Sequence, residues 1–407
     1  MRYVRTEKLH IDVPAPVAFL LSRLNAAGYE AFAVGGCVRD AMMGREPNDW
    51  DITTSALPAQ IKKCFRRTID TGIKHGTVTV VLREGSFEVT TYRIDGVYED
   101  GRHPKEVSFT DDLTEDLRRR DFTVNAMAYH PDLGLADVFG GREDLQAKII
   151  RAVGVPAERF EEDALRIMRA VRFAAQLDFS IEPATLAEVA NFAPRLEMIS
   201  RERIQTELVK LLVSGRPDRF SLLMDTGIAD VIMPGLKPRI STRLIGALER
   251  VPAHPHLRLA VLFADCPPEE AEAWLRENKF DNDTVFTVAH LIRYSFFPFE
   301  HDAPGVRRAV CAVRPEYFPS LLKVMRALDR IPDLDGIEAV YDAVTAAGDC
   351  VTLKQLAVTG GDLIKAGIRP GPGMGQILQQ LLDRVLEDPS LNTKEQLLPA
   401  AVLLSKN

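Results

Sequence analysis

The sequence predicts a mixed α/β head over residues 1–150 followed by an all-helical remainder, and three observations carry that division. Short β-branched runs separated by polar breaks fill the first part: Ala31 to Val34, Gly76 to Leu82 and Phe87 to Tyr92 read as strands. Val38 to Met43 and Pro58 to Phe65 read as short helices between them. From about Glu158 the strand signal gives way to helical periodicity, as in EEDALRIMRAVRFAAQL and RERIQTELVKLLVSG. A chain of 407 residues is also too long for one comfortable core. Breaks at Pro194, SGRPDR, MPGLKP and CPPEE subdivide the helical part. Near the end, TGGDLIKAGIRPGPGMGQIL reads as a helix capped by Asp362, a tight connector and another helix.

Composition narrows the class. With 46% hydrophobic and 27% charged residues the chain is a soluble globular protein, which excludes disordered and fibrous classes. A net charge of -7 argues against binding nucleic acid through overall basicity, while leaving room for a local basic surface. Five cysteines without a CxxC pair indicate neither a disulfide framework nor a zinc site. No long apolar run and no basic-then-apolar N-terminus occur, so a cytoplasmic protein without membrane association is expected.

The chemistry concentrates at four places. In AFAVGGCVRDAMMG, an apolar strand runs through Gly35 and Gly36 into a helix carrying Arg39 and Asp40. Such a pair is often an ordinary tight turn, but it also lets backbone amides approach an anion, and Arg39 one turn into the helix points to phosphate. In NDWDI, Asp49 and Asp51 fall on one face of an extended segment, where two carboxylates repel unless a cation sits between them. Magnesium, a hard ion that takes oxygen ligands, suits that pair. Glu88, opposite in face to Phe87 and Val89, joins them if its strand neighbours theirs. Finally, Arg118, Arg119 and Arg120 read as the start of an apolar helix, where the dipole disfavours cations and a phosphate partner accounts for them.

Taken together, GGCVRD, NDWDITTSA, KHGTVTVV, FEVTTYR, DLRRRDFTVNAMAY and EEDALRIMRAVRFA stand in the order and spacing of class II tRNA nucleotidyltransferases, the CCA-adding enzymes of the bacterial poly(A) polymerase superfamily, which the chain resembles. The resemblance implies an α+β head of the polymerase-β nucleotidyltransferase type (1–150) followed by an all-helical neck (151–215), body (216–295) and tail (296–407). It implies Asp49 and Asp51 as metal ligands and catalytic residues with Glu88 as a third acid, and Gly36, Arg39 and Arg120 against nucleotide phosphates and ribose. It also implies Asp163 and Arg166 as the pair that reads the incoming base, with Arg169 and Arg172 near the nucleotide. Helical periodicity places Asp163, Arg166 and Arg169 on the polar side of one helix from Glu161 to Ala175, and an Asp acceptor beside an Arg donor matches cytosine and adenine.

The segment between Tyr92 and Asp112 reads as a mobile loop. In this family, members that add only two cytidines lack much of it, so Asp100, Arg102 and Pro104 point to CCA-adding or A-adding activity. The expected function is therefore template-independent completion of the 3′ CCA end of tRNA from CTP and ATP, Mg2+-dependent and releasing pyrophosphate, with the helical part gripping the acceptor and T arms. An enzyme that adds only the terminal A and a catalytically silent tRNA-binding protein are the alternatives.

Overall fold

A computed structural model describes residues 6–7, 9–96, 107–298 and 300–406, and the chain divides into two compact units after Lys237. The first is built on an eight-stranded sheet. Its strands are β1 (Thr6–Glu7), β2 (Ala31–Val34), β3 (Ile52–Thr54), β4 (Thr68–Gly72), β5 (Thr77–Val81), β6 (Ser86–Thr91), β9 (Met127–His130) and β10 (Gly134–Asp137), the intervening β7 (Arg93–Asp95) and β8 (Val107–Phe109) forming a separate antiparallel pair. The order across the sheet is β1-β10-β9-β2-β3-β6-β5-β4. All its pairings are antiparallel except β3 with β6, which run in parallel with Ile52 opposite Val89.

The central strand β2 buries all four residues, as a strand flanked on both edges must. Phe32 and Val34 pack with Tyr92, Leu113, Leu117, Ala128 and Ala136 in a cluster that Phe139 closes. Around the sheet lie α1 (Ala15–Ala26), α2 (Gly36–Met42), α3 (Pro58–Cys64), α4 (Leu113–Arg118) and α5 (Gly141–Ala147). In α1, Val17, Leu20, Leu21 and Leu24 supply the buried stripe expected of a helix with one face on a core. The unit continues through α6 (Pro156–Glu162), α7 (Leu165–Leu177), α8 (Pro183–Phe192) and α9 (Arg201–Leu212).

Four expectations need correction. The strand signal does not end at Glu158: β11 (Ile149–Ile150) pairs in parallel with β12 (Ser180–Ile181), too short a pair to leave a periodic trace. The segment after Tyr92 is not loop throughout, since β7 and β8 pair at its two ends; residues 97–106, with Asp100, Arg102 and Pro104, lie outside the described residues. Glu161 to Ala175 is not one helix. The backbone breaks at Asp163, and α7 is no half-wet helix, because all its residues except Arg169 and Gln176 are buried. Lastly, the arginine run does not start a helix but ends one: Asp112 caps α4, Glu115 and Asp116 fill its first turn, and Arg118 closes it, where the dipole favours cations.

The second unit is helical throughout its described residues, from Thr242–Ala247 to Lys394–Leu404. Asp281, Asp302 and Asp333 each accept a backbone N–H at a helix start. The helix Gly360–Lys365 is capped not by Asp362, as expected, but by Thr359 three residues earlier, and Asp362 serves as its capping-box partner in the first turn. At the end of Gly373–Glu387, buried Arg307 donates to the carbonyls of Leu386 (2.6 Å) and Glu387 (3.0 Å) while Asp349 holds it at 2.9 Å. Among the described residues no helix is long and apolar enough to cross a membrane.

Candidate active site

The site begins where β2 turns into α2. Gly35 adopts φ +83°, and a Cβ there would lie 2.8 Å from Nη1 of Arg120, so the missing side chain is what lets that guanidinium approach the turn. Gly35 N–H donates to the Met127 carbonyl (3.0 Å), tying the turn to β9. One turn into α2, buried Arg39 donates to both carboxylate oxygens of Asp40 (2.8 and 2.9 Å) and to Oδ1 of Asn125 (2.5 Å). Replacing Gly35 by Ala is expected to destabilise the head by about 1 to 3 kcal/mol, from backbone strain and from displacement of the Arg120 guanidinium. Thermal unfolding of the variant checks it, and an unchanged midpoint would show that the turn tolerates a Cβ.

The acids stand on the neighbouring strands. Asp49 and Asp51 immediately precede β3 and are exposed while Trp50 between them is buried, so they share a face. The Val34 N–H donates to the Asp51 carbonyl (3.0 Å), fixing that segment to β2. Because β3 and β6 run in parallel with Ile52 opposite Val89, Asp51 and Glu88 enter their strands at the same end of the sheet. Asp51 keeps an exposed edge, but the protein around its carboxyl desolvates it and pushes it up, the Arg120 guanidinium counters, and the Asp49 charge adds to the rise. Glu88 is also raised, first by burial and then by Asp51 and Asp49. None of the three acids forms a side-chain ion pair with another described residue, and among the described residues no three potential ligands stand close enough to hold one ion. Hard oxygen donors repelling one another without a bonded counter-cation fit a divalent ion, and Asp49 and Asp51 are the pair that would hold it.

Opposite them, Asp116 is fully buried and organises the arginines. It accepts from Nε and Nη2 of Arg119 (3.0 and 2.8 Å) and from the Thr53 hydroxyl (3.0 Å), and Arg120 stands 3.5 Å away. Burial alone would raise its carboxyl, but the charges of Arg119 and Arg120 reverse this and hold it below the usual range. The Arg120 Nε is itself buried without a hydrogen bond, an unspent donor beside the glycine turn.

Asp121 takes Phe122 N–H (2.8 Å) and Asn125 Nδ2 (3.1 Å) on one oxygen and Arg169 on the other (2.8 and 2.5 Å). Its burial works against ionisation, yet Arg169 and Asn125 hold the carboxyl far below the ordinary value. At the break between α6 and α7, Asp163 caps Leu165 N–H (3.0 Å) and pairs with Arg203 of α9 (2.7 Å). Arg166 donates to the carbonyls of Arg159 (3.0 Å) and Arg119 (2.7 Å) and pairs with Glu162. Asp163 and Arg166 are therefore not each other's partners: each is held by its own set of groups. Arg172 is held by Glu207 and by Gln176 (2.6 Å).

All these elements border one open cleft of about 630 Å³, and every expected site residue except Glu88 lines it. It is also lined by Arg119 of the arginine run, and by Asn48, Arg203 and Lys210, which the sequence did not single out as site residues. The signal was present for two of them: Arg203, Glu207 and Lys210 recur at i, i+4 and i+7 on α9, one stripe facing the cleft. Cys37 also borders the cleft, its thiol pushed up to about 11 by burial and by the Asp51 charge.

Comparison with known proteins agrees along the whole chain. Residues 31–151 match the poly A polymerase head domain, 178–240 the RNA and SrmB-binding site of polymerase A, and 257–401 the tRNA nucleotidyltransferase domain 2. The CCA-adding enzyme of Lacticaseibacillus paracasei is 40% identical over 95% of this chain and 96% of its own, and that of Limosilactobacillus fermentum 38% identical over 96% and 97%. Among solved structures, the CCA-adding enzyme of Bacillus stearothermophilus in complex with CTP superposes with a TM-score of 0.83 at 32% identity, covering 97% of this chain and 98% of that one. That of Thermotoga maritima complexed with tRNA shares the fold, with a TM-score of 0.69 at 19% identity over 96% of each chain. With an acid pair, a glycine turn and an arginine-lined cleft on a polymerase-type head, and with relatives of this identity over nearly full length, the chain belongs to the family of CCA-adding enzymes, the CCA tRNA nucleotidyltransferases.

Proposed function

We propose that this enzyme completes the 3′ CCA end of tRNA, adding C, C and A in turn from CTP and ATP without a nucleic-acid template and releasing pyrophosphate. The observation that carries this reading is the convergence of Asp49 and Asp51, of Arg39 and Arg120, and of Asp163 and Arg166 on one cleft. Those three pairs supply what nucleotidyl transfer needs: a place for charge-neutralising metal, a cradle for phosphates and an edge that reads a base. Mg2+ bound between Asp49 and Asp51 would activate the tRNA 3′-hydroxyl and neutralise the phosphates, with Glu88 as an accessory acid.

The chain's own groups do the rest. Gly36 brings backbone close to the phosphates, Arg39 and Arg120 offer guanidinium donors to phosphate and ribose, and Arg169 and Arg172 extend that positive wall. Asp163 accepts from the exocyclic amine of cytosine or adenine while Arg166 donates to the ring acceptor, so uracil and guanine leave charges unpaired. In this reading residues 1–150 catalyse, 151–215 recognise the nucleotide, and 216–295 with 296–407 hold the acceptor and T arms of tRNA; the enzyme acts in the cytoplasm. Related structures support the substrates: the Bacillus stearothermophilus CCA-adding enzyme has been solved with CTP, and CCA-adding enzymes of the same fold with ATP and with tRNA.

The test offers the purified enzyme tRNA ending before CCA, or after CC, with labelled CTP or ATP. Incorporation of C into the first and A into the second is expected. Incorporation of A alone would identify an enzyme restricted to the terminal nucleotide, and no incorporation would leave a silent tRNA-binding protein.

A further inference from the structure

We propose that Phe173 is a positioning residue for the nucleotide's phosphates, its ring holding Arg39, Arg169 and Arg172 side by side without cancelling their charge. The inference rests on the nucleotidyl-transfer reading of the cleft.

Phe173 sits on α7, only 6% exposed, and lines the cleft. The guanidinium carbon of Arg172 lies 3.6 Å from its ring centroid, and those of Arg39 and Arg169 lie 5.3 Å away each. Arg39 comes from α2 of the head, whereas the other two belong to α7, so one ring gathers cations from two elements. Phe122 meets the same ring edge-on at 5.8 Å and 79°, which fixes its orientation.

Three guanidiniums around one side chain repel one another, and the protein has two ways to hold them. Carboxylates do it in the guanidinium plane: Asp40 for Arg39, Asp121 for Arg169 and Glu207 for Arg172. Each of those pairs also neutralises a charge, and a cleft neutralised throughout has little left to offer a polyanion. An aromatic face attracts cations through its quadrupole and carries no net charge. Phe173 thus restrains the guanidiniums in a direction the carboxylates do not and adds no further negative charge to a cleft that would receive a triphosphate. The polyphosphate is the part of a nucleotide common to every base, so Phe173 acts on affinity for all nucleotides alike, whereas Asp163 and Arg166 act on the choice among them.

The test is a series at one position: Phe173→Leu, which keeps apolar bulk without a π face, and replacement by mono- and trifluorinated phenylalanine, which keep the shape and progressively weaken the quadrupole. Each variant is assayed for kcat and KM with CTP, ATP, UTP and GTP, for inhibition by inorganic tripolyphosphate, and for thermal unfolding. KM for CTP and ATP should rise together, severalfold with trifluorophenylalanine and about tenfold with Leu. Tripolyphosphate should weaken in parallel, with kcat and nucleotide ratios little changed. Two results would overturn the proposal: fluorinated enzymes that match the parent while Leu loses affinity, which would make the ring packing alone, or nucleotide ratios that shift with fluorination. Tripolyphosphate binding can be followed without tRNA or base, so its arm reports on Phe173 even if the enzyme's nucleotide choice differs from that proposed.

Discussion

Asp49→Ala and Asp51→Ala are each expected to lower nucleotide incorporation by about 10² or more while tRNA binding persists, because in the proposed reading a metal held by these carboxylates would act on the transition state rather than on RNA affinity. The structure adds an expectation in the opposite direction for stability. Burial and the Asp49 charge raise the Asp51 carboxyl above its usual range. An acid whose folded pKa is raised costs stability once it ionises, so the loss of the Asp51 charge is favourable at neutral pH. In metal-free buffer the Asp51→Ala variant should therefore unfold at the same temperature as the parent or higher, as expected where function is bought with repulsion. Near-normal turnover in both variants would remove these acids from catalysis, and a marked drop in the unfolding temperature of Asp51→Ala would assign Asp51 a structural role instead.

Asp163→Ala should change which nucleotide is chosen as well as how fast it is added. A good base-reading contact supplies about 1 to 3 kcal/mol of discrimination, so the preference for CTP and ATP over UTP and GTP should shrink roughly tenfold to a hundredfold in relative kcat/KM. Competing incorporation of the four nucleotides by parent and variant measures it. Asp163 also neutralises Arg203 and caps Leu165, so total activity falls too. Arg203→Met isolates that second role: it frees Asp163 from its partner but leaves the acceptor in place. Ratios unchanged in Asp163→Ala but total rate reduced in both variants would make the pair a structural brace.

The parts of this site that could be read in the sequence are those set by local geometry. Asp49 and Asp51 flank a buried Trp50, and that alternation is a property of three consecutive residues. Gly35 and Arg39 belong to one strand-to-helix turn. The strands that escaped notice lack a local pattern: Met127–His130 is buried on both faces and shows no alternation, and Thr68–Gly72 is an irregular edge strand with a register shift. The arginine run was misplaced although its start signal, Asp112 followed by Glu115 and Asp116, was in view. At Asp163, helical periodicity runs unbroken through EEDALR, and only the side chain's bond to Leu165 N–H reveals the break, a competition between aspartate and helix that composition does not resolve. Arg203 escaped because its partner is forty residues away.

The position of β9 between β10 and β2 has a consequence for how the head forms. As the chain emerges during synthesis, β2 and β3 can pair early, but the other edge of β2 stays open until Met127–His130 has been made. An unpaired edge on a fully apolar strand is prone to pair with another chain. Because closing that sheet demands contacts far apart in sequence, refolding from denaturant should be slow relative to helix formation and should yield less active enzyme as protein concentration rises. Far-ultraviolet circular dichroism would recover first, and incorporation of CTP would return only when β9 has taken its place.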